Sequence, residues 1–379
     1  MIINNKLKIH IIFIAIFLLS AIEIQLPIGG LSLGVLFILF IGILDRSIFK
    51  INLNFLFIFL FLNIFNLFLL MFFDCSQQFM RSIISLNLLI FVCLIFSNNS
   101  KLLELDISKI SFILLNIILF FLLLDLFKSN FDLSLRKSSI FFSEPSHLAL
   151  SVAPLIVILN RKYSSNLSLF YFIIFLVFSF SSTLFICLVI FFVLNFFYIH
   201  NINSKNVIFM SLALFIIFFA LFNLPALEMV KDRYESLFEI GMHSNMSSMV
   251  YVNGWVQLNA YLSETNFFGL GFNNMGCNGP IDTKYFHYIY KMSDMYLNYN
   301  DGSFLISKFG SEFGLLGLLF LLSSVLFVYK SFNAYESRVL VPFIFITFFV
   351  RSAGYFEVSS MIFLFFLCKY LNASKNNHI

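Results

Sequence analysis

The run Phe141-Phe142-Ser143-Glu144-Pro145-Ser146-His147-Leu148-Ala149-Leu150 combines residue types and spacing that can do chemistry. Ser143 is a good N-cap and Pro145 suits a first helical turn, so the run predicts a helix start. Glu144 and His147 then share a face, with Ser151 one turn below His147. A carboxylate and an imidazole at a helix N-terminus, where the dipole favours an anion, can orient an acceptor hydroxyl and take its proton. A capping arrangement with His147 filling a polar gap satisfies the same spacing. The second signal is arginine: Arg81, Arg136, Arg233 and Arg351 carry forked donors suited to phosphate oxygens, and together they can hold a pyrophosphate. Snorkelling to lipid headgroups is the alternative for any one of them. Asp301 is either a site carboxylate or the N-cap of the helix that follows Asp301-Gly302-Ser303, with the N-cap favoured. His243 and His287 are alternative bases. Glu23 and Asp125 are placed either to bind sugar hydroxyls or to pair with an arginine.

No P-loop, GxGxxG, HExxH or DxD-type motif is present, so nucleotide and metal chemistry find no support. The five cysteines are odd in number and lack CxxC spacing, which argues against a metal site or a disulfide framework. A single bridge between Cys75 and Cys277 stays open.

The elements that must position these groups follow from composition. The 379 residues are 60% hydrophobic and 11% charged, with a mean hydropathy of +0.97. A soluble domain carries roughly 25% charge, so this chain cannot build a water-facing surface and reads as one integral membrane domain over 1–379. Its 57 Phe, beside abundant Ile, Asn and Lys, fit an AT-rich coding sequence and are poor evidence for any aromatic site. The fold class is all-α, a polytopic protein of about 12 transmembrane helices, each needing about 20 apolar residues. The expected spans are 9–28, 30–44, 51–73, 82–97, 110–127, 144–159, 167–180, 182–199, 206–226, 303–329, 338–350 and 355–371. The stretch 167–199 is too short for two full spans, and the Ser179, Ser181, Ser182, Thr183 cluster marks a break there.

Lys and Arg set the orientation, because they collect in cytoplasmic loops. With the N-terminus inside, thirteen of the 23 lie in the cytoplasm, among them Lys101, Arg161, Lys162, Lys330, Arg338 and Lys369. Five fall in short outer loops, and Lys231, Arg233, Lys284, Lys291 and Lys308 go with the one long loop, 227–302. That external loop holds eight of fifteen Tyr and the only Trp, but five of the 57 Phe. Within it, Met246, Met249, Val250, Trp255, Val256, Leu258, Tyr261 and Leu262 recur at nearly helical spacing. That pattern fits a helix lying on the membrane surface or one packed on the loop's own core.

Three pieces resemble the bacterial O-antigen polymerases (Wzy-type), which belong with the O-antigen ligases to one class of polytopic glycosyltransferases. The first is Ser143-Glu144-Pro145-Ser146-His147. The second runs from Arg233-Tyr234-Glu235-Ser236 through Gly254-Trp255 to Phe268-Gly269-Leu270-Gly271-Phe272-Asn273-Asn274. The third is Asp301-Gly302-Ser303 through Gly314-Leu315-Leu316-Gly317. Related ligases tend to have a His-Asn pair where this chain has Asp301-Gly302, which favours the polymerase. The resemblance implies a bacterial inner-membrane enzyme with both termini cytoplasmic and its site facing the periplasm. It would join oligosaccharide repeat units carried on undecaprenyl pyrophosphate, without metal, nucleotide or other cofactor. Glu144 and His147 would be catalytic, Arg81, Arg136, Arg233 and Arg351 would bind the pyrophosphate, and Trp255, Tyr251, Asn273 and Asp301 the sugar. Membrane lipid and a chain-length regulator protein are the expected partners, and nucleic acid is not. A ligase, or a flippase or transporter of the lipid-linked sugar, is the competing reading.

Overall fold

The computed structural model describes residues 23–26, 29–44, 46, 53–73, 75, 78–98, 106–128, 144–179, 181–199, 246–351 and 354–376. Most of the expected span 9–28 and all of 206–226 lie outside them, as do Arg136, Arg233 and His243. The described chain is helical apart from a short antiparallel hairpin, β1 (Glu23–Leu26) and β2 (Gly29–Ser32), with Leu26 opposite Gly29. The expectation of helix through 28 and from 30 is therefore corrected. Pro27 has no N–H to give a helix, and Gly29-Gly30 favours extended and turn backbone.

The helices are α1 (Leu33–Leu44), α2 (Leu53–Phe72), α3 (Phe79–Asn98), α4 (Ile107–Lys128), α5 (Pro145–Leu159), α6 (Ser165–Ser179) and α7 (Ser182–Ile199). After the undescribed stretch come α8 (Met246–Glu264), α9 (Lys284–Ser293), α10 (Leu305–Ser331), a π-turn at Glu336–Leu340, α11 (Val341–Thr347) and α12 (Val358–Asn376). Among the described residues five helices are long and apolar enough to cross a membrane: α2, α3, α4, α7 and α10. Four more, α1, α5, α6 and α12, are apolar but shorter. The chain breaks between Ser179 and Ser182, where the serine cluster predicts it.

The bundle is built around α5. Every residue from Leu148 to Leu159 is buried, as expected of a helix apolar on all sides, and α4, α6, α7 and α12 pack on it. Its C-terminal end meets a polar layer in which Arg161 pairs with Glu336, Lys162 with Asp106, and the Tyr370 hydroxyl donates to Glu336. The hydrogen bond to Asp106 holds the Lys162 ammonium above its ordinary pKa. Here Asn160 Nδ2 also donates to Asn195 and Tyr335. The N-terminal end of α5 meets a second polar layer around Glu144. At 1.5 Å per residue the two ends stand about 22 Å apart.

The helical pattern at 246–262 forms α8, and one face of α8 lies against protein. Its buried face, including Val250, Gly254 and Leu258, packs on the first half of α10. There Ser303 Oγ donates to the Val250 carbonyl at 2.8 Å and Ser307 Oγ to the Gly254 carbonyl at 2.6 Å. The chain then turns within the bundle instead of leaving it. Phe272 N–H donates to Asn66 Oδ1 of α2 at 2.7 Å, and Asn273 Nδ2 to Ser85 Oγ of α3 at 3.3 Å. Asn66 is six residues inside the end of α2, about 9 Å along its axis. The segment climbs back to Cys277, which is disulfide-bonded to Cys75 between α2 and α3, with Cα atoms 5.5 Å apart.

Helix α10 breaks where this segment crosses it. Gly314 has φ 66° and ψ −164°, and the crossing strand bonds to both sides of the break: Leu270 N–H to Ser311 O, Gly271 N–H to Glu312 O, and Leu315 N–H to Phe267 O. Lys308 lies inside α10 and is buried, as the span 303–329 expects, and so does not belong with the charges of the long loop. A Cβ at Gly314 would sit 2.1 Å from the Phe267 carbonyl oxygen, on a backbone that side chains rarely adopt. Gly314→Ala is expected to destabilise the detergent-solubilised protein by about 2–4 kcal/mol. Gly279→Ala, at φ 89° with no atom within 4 Å, is expected to cost about 1 kcal/mol. Equal melting temperatures for the two variants would contradict the crossing.

Candidate functional site

Glu144 occupies the N-cap position of α5 in extended conformation, and Pro145 opens the helix. The helix start is where the sequence predicts it, but the cap is Glu144, and its side chain makes no capping bond. That carboxylate is turned elsewhere: Glu144 Oε2 accepts from Arg351 Nη2 at 3.0 Å and from Ser146 Oγ at 3.0 Å. Arg351 follows the last turn of α11, where its N–H donates to the Thr347 carbonyl. Its side chain is 20% exposed against 50% for Glu144. Two residues 207 apart in sequence thus form an ion pair at the mouth of the bundle, with part of each group left toward solvent.

His147 is half-buried on the first turn beside Glu144, its N–H bonded to the Glu144 carbonyl at 3.1 Å. Besides its burial, the Glu144, Arg351 and Asp301 charges act on its imidazole, the arginine opposing the two carboxylates. Asp301 is not the N-cap that its position suggests. The cap of α10 is Phe304, because Gly302 and Ser303 take positive φ and lift Asp301 out of line with the helix. Asp301 is left half-buried.

Aromatic residues flank this layer. Trp255 is 39% exposed and lies 4.8 Å from the Phe304 ring and 6.3 Å from the Phe349 ring, centroid to centroid. The Tyr251 hydroxyl donates to the Phe349 carbonyl at 3.0 Å, two residues before Arg351. Trp255 and Tyr251 therefore join the segment that carries Arg351, and the indole keeps an open flank. Flat faces with polar tips suit sugar rings.

Other predicted site residues fall elsewhere. Arg81, in the first turn of α3, is half-buried and makes no ion pair among the described residues, and its Nε has no partner. His287 pairs with Asp282 at 2.9 Å where both side chains are largely exposed, a solvated surface pair. Asn273 is spent inside the protein: its N–H donates to Glu312 Oε2 at 2.7 Å while its side chain binds Ser85.

Sequence reasoning passed over Glu312, Lys308 and Tyr355. Glu312 is fully buried and accepts from Asn273 N–H, from Met275 N–H at 3.4 Å and from the Tyr355 hydroxyl at 2.6 Å. Lys308 Nζ lies 5.4 Å from the centre of the Tyr355 ring. The available signal was two opposite charges four residues apart within an apolar run, since ionisable groups at membrane depth are retained for a reason.

Compared with protein-family models, with curated proteins and with solved structures, the chain matches none.

The partial exposure of the Glu144–Arg351 pair sets its energetic worth. A double-mutant cycle on melting in detergent, using Glu144→Gln and Arg351→Ala, is expected to give a coupling of about 1 kcal/mol or less. A coupling of about 3 kcal/mol or more would mark the pair as a structural clamp rather than groups kept for a ligand.

Proposed function

We propose that the chain is a polytopic glycosyltransferase of the O-antigen polymerase kind, acting on undecaprenyl-pyrophosphate-linked oligosaccharides at the periplasmic face of a bacterial inner membrane. The carrying observation is the layer at the start of α5. Glu144, Arg351 and His147 meet there, with the Asp301 carboxylate acting on the imidazole and the open flank of Trp255 on the segment leading to Arg351. About twelve spans with both termini inside remain our reading of the topology. The two polar layers support it, since each pairs residues that the charge bias puts on the same side: Arg161 with Glu336 at one end, Glu144 with Arg351 at the other. The Cys75–Cys277 bridge supports an outer position for its own end, because disulfides persist in oxidising compartments.

In this reading the acceptor hydroxyl oxygen attacks the anomeric carbon of the donor. The bond from that carbon to the phosphate oxygen breaks, and undecaprenyl pyrophosphate departs as the anion. His147 takes the acceptor proton, with Glu144 orienting the imidazole and fixing Arg351. Arg351 holds the departing pyrophosphate, and Trp255, Tyr251 and Asp301 hold sugar. The phosphate ester supplies the driving force, so no nucleotide enters.

One observation favours a second reading. A helix broken at membrane depth, as α10 is at Gly314, recurs in transporters, which points to a flippase for the same lipid-linked sugar. Lipopolysaccharide from a deletion strain separates the two. The polymerase reading expects core carrying a single repeat unit, whereas bare core would mean a flippase or a ligase. Returning Glu144→Gln or His147→Ala at normal protein level is expected to leave polymer reduced by about 10²-fold or more, with the double variant little worse than either. Normal polymer from Glu144→Gln would remove the pair from the chemistry.

A further inference from the structure

We infer that Glu312 is a positioning residue: its carboxylate sets where the loop carrying Asn273 and the segment carrying Arg351 stand relative to each other. A carboxylate offers two oxygens and about four lone-pair sites. Here Oε2 takes the Asn273 N–H at 2.7 Å and the Tyr355 hydroxyl at 2.6 Å, and Oε1 takes the Met275 N–H at 3.4 Å. One side chain on α10 thus ties together two segments that are distant in sequence. Tyr355 lies four residues beyond Arg351, and its ring is fixed by Phe272, stacked at 4.7 Å, as well as by the Lys308 ammonium over its face. The same side chain therefore registers the crossing loop and Tyr355 against one point of α10.

A buried charge that only filled space could be exchanged for an apolar group of its shape at little cost. That exchange fails for Glu312, since it would strand two loop N–H groups and a phenol around a fully buried side chain. The side chain is 0% exposed and makes no hydrogen bond to Glu144 or His147 among the described residues, so it acts on the α5 layer only through the segments it anchors. The link to catalysis rests on the reading of the α5 layer as a glycosyl-transfer site; the anchoring does not.

Two variants of the full chain, in detergent or nanodiscs, test this. Glu312→Gln puts an amide donor against donors that need an acceptor. Hydrogen exchange in a peptide covering Leu270–Met275 is expected to speed up by about tenfold or more, with α5 peptides unchanged. Tyr355→Phe leaves both loop N–H bonds in place but removes the phenol's bond to Glu312. It is expected to keep loop protection and melting temperature while raising the KM for a lipid-linked donor about tenfold, with kcat within about twofold. A generally damaged fold would instead lower the active fraction, and so kcat, at constant KM. Wild-type exchange in Glu312→Gln, or wild-type KM in Tyr355→Phe, would overturn the inference. If the chain instead makes no polymer from lipid-linked donors at all, the exchange result alone decides the anchoring.

Discussion

Backbone hydrogen bonding inside a low-dielectric bundle is the constraint on which this structure depends. Between α8 and α9 the chain enters the level of the membrane helices without forming a helix, and irregular backbone is tolerated there only when protein satisfies it. Each N–H from Thr265 to Asn273 has an acceptor. The acceptors are carbonyls of the turn itself, the Thr265 hydroxyl, the Ser311 and Glu312 carbonyls exposed by the break in α10, the Asn66 amide and the Glu312 carboxylate. Gly276 N–H goes to the Tyr261 hydroxyl. The break at Gly314 and the burial of Glu312 are thus two parts of one solution: the helix gives up its own ladder where the crossing strand needs carbonyls.

The consequences reach both sides of the crossing. On one side Phe267 and Phe268 are exposed next to Leu315, Leu316, Leu319 and Phe320, an apolar surface suited to lipid. On the other side the first half of α10 is held tightly against α8, so tightly that a Cβ at Gly254 would stand 2.2 Å from the Gly302 carbonyl oxygen. That close approach fixes Phe304, and Phe304 fixes Trp255 and Tyr251 beside the segment leading to Arg351. The pair of Arg351 with Glu144 then joins this half of the molecule to α5, the most buried helix of the other half. The α5 layer thus brings residues 144 and 351 together across a crossing whose backbone N–H groups are bonded to protein.

Part of this was legible in the amino-acid sequence. Ser143-Glu144-Pro145 announces the start of α5, and Ser179 to Thr183 announces a break, because caps and breakers act within a turn of where they stand. The apolar period of 246–262 gives α8 but not its surroundings, since a 3.6-residue repeat reports that a face is covered and not by what. The crossing loop gave no signal: Phe268-Gly269-Leu270-Gly271-Phe272 has no period, and its partners Asn66, Ser85 and Glu312 lie 39 to 206 residues away. Lys308 was hidden because its charge was counted with the long loop although the expected span 303–329 contains it, and with it the charged pair that would have pointed to Glu312. The short hairpin after residue 22 was hidden by apolar composition, which is read as helix wherever a membrane is expected.

The central claim is that the α5 layer transfers sugar from a pyrophosphate-linked donor. Its most direct measurement is the purified full chain in lipid, supplied only with a synthetic undecaprenyl-pyrophosphate-linked repeat unit. The account predicts a ladder of longer saccharides, with one undecaprenyl pyrophosphate released for each unit added. Recovery of the repeat unit unchanged by protein that is folded and disulfide-bonded would contradict it.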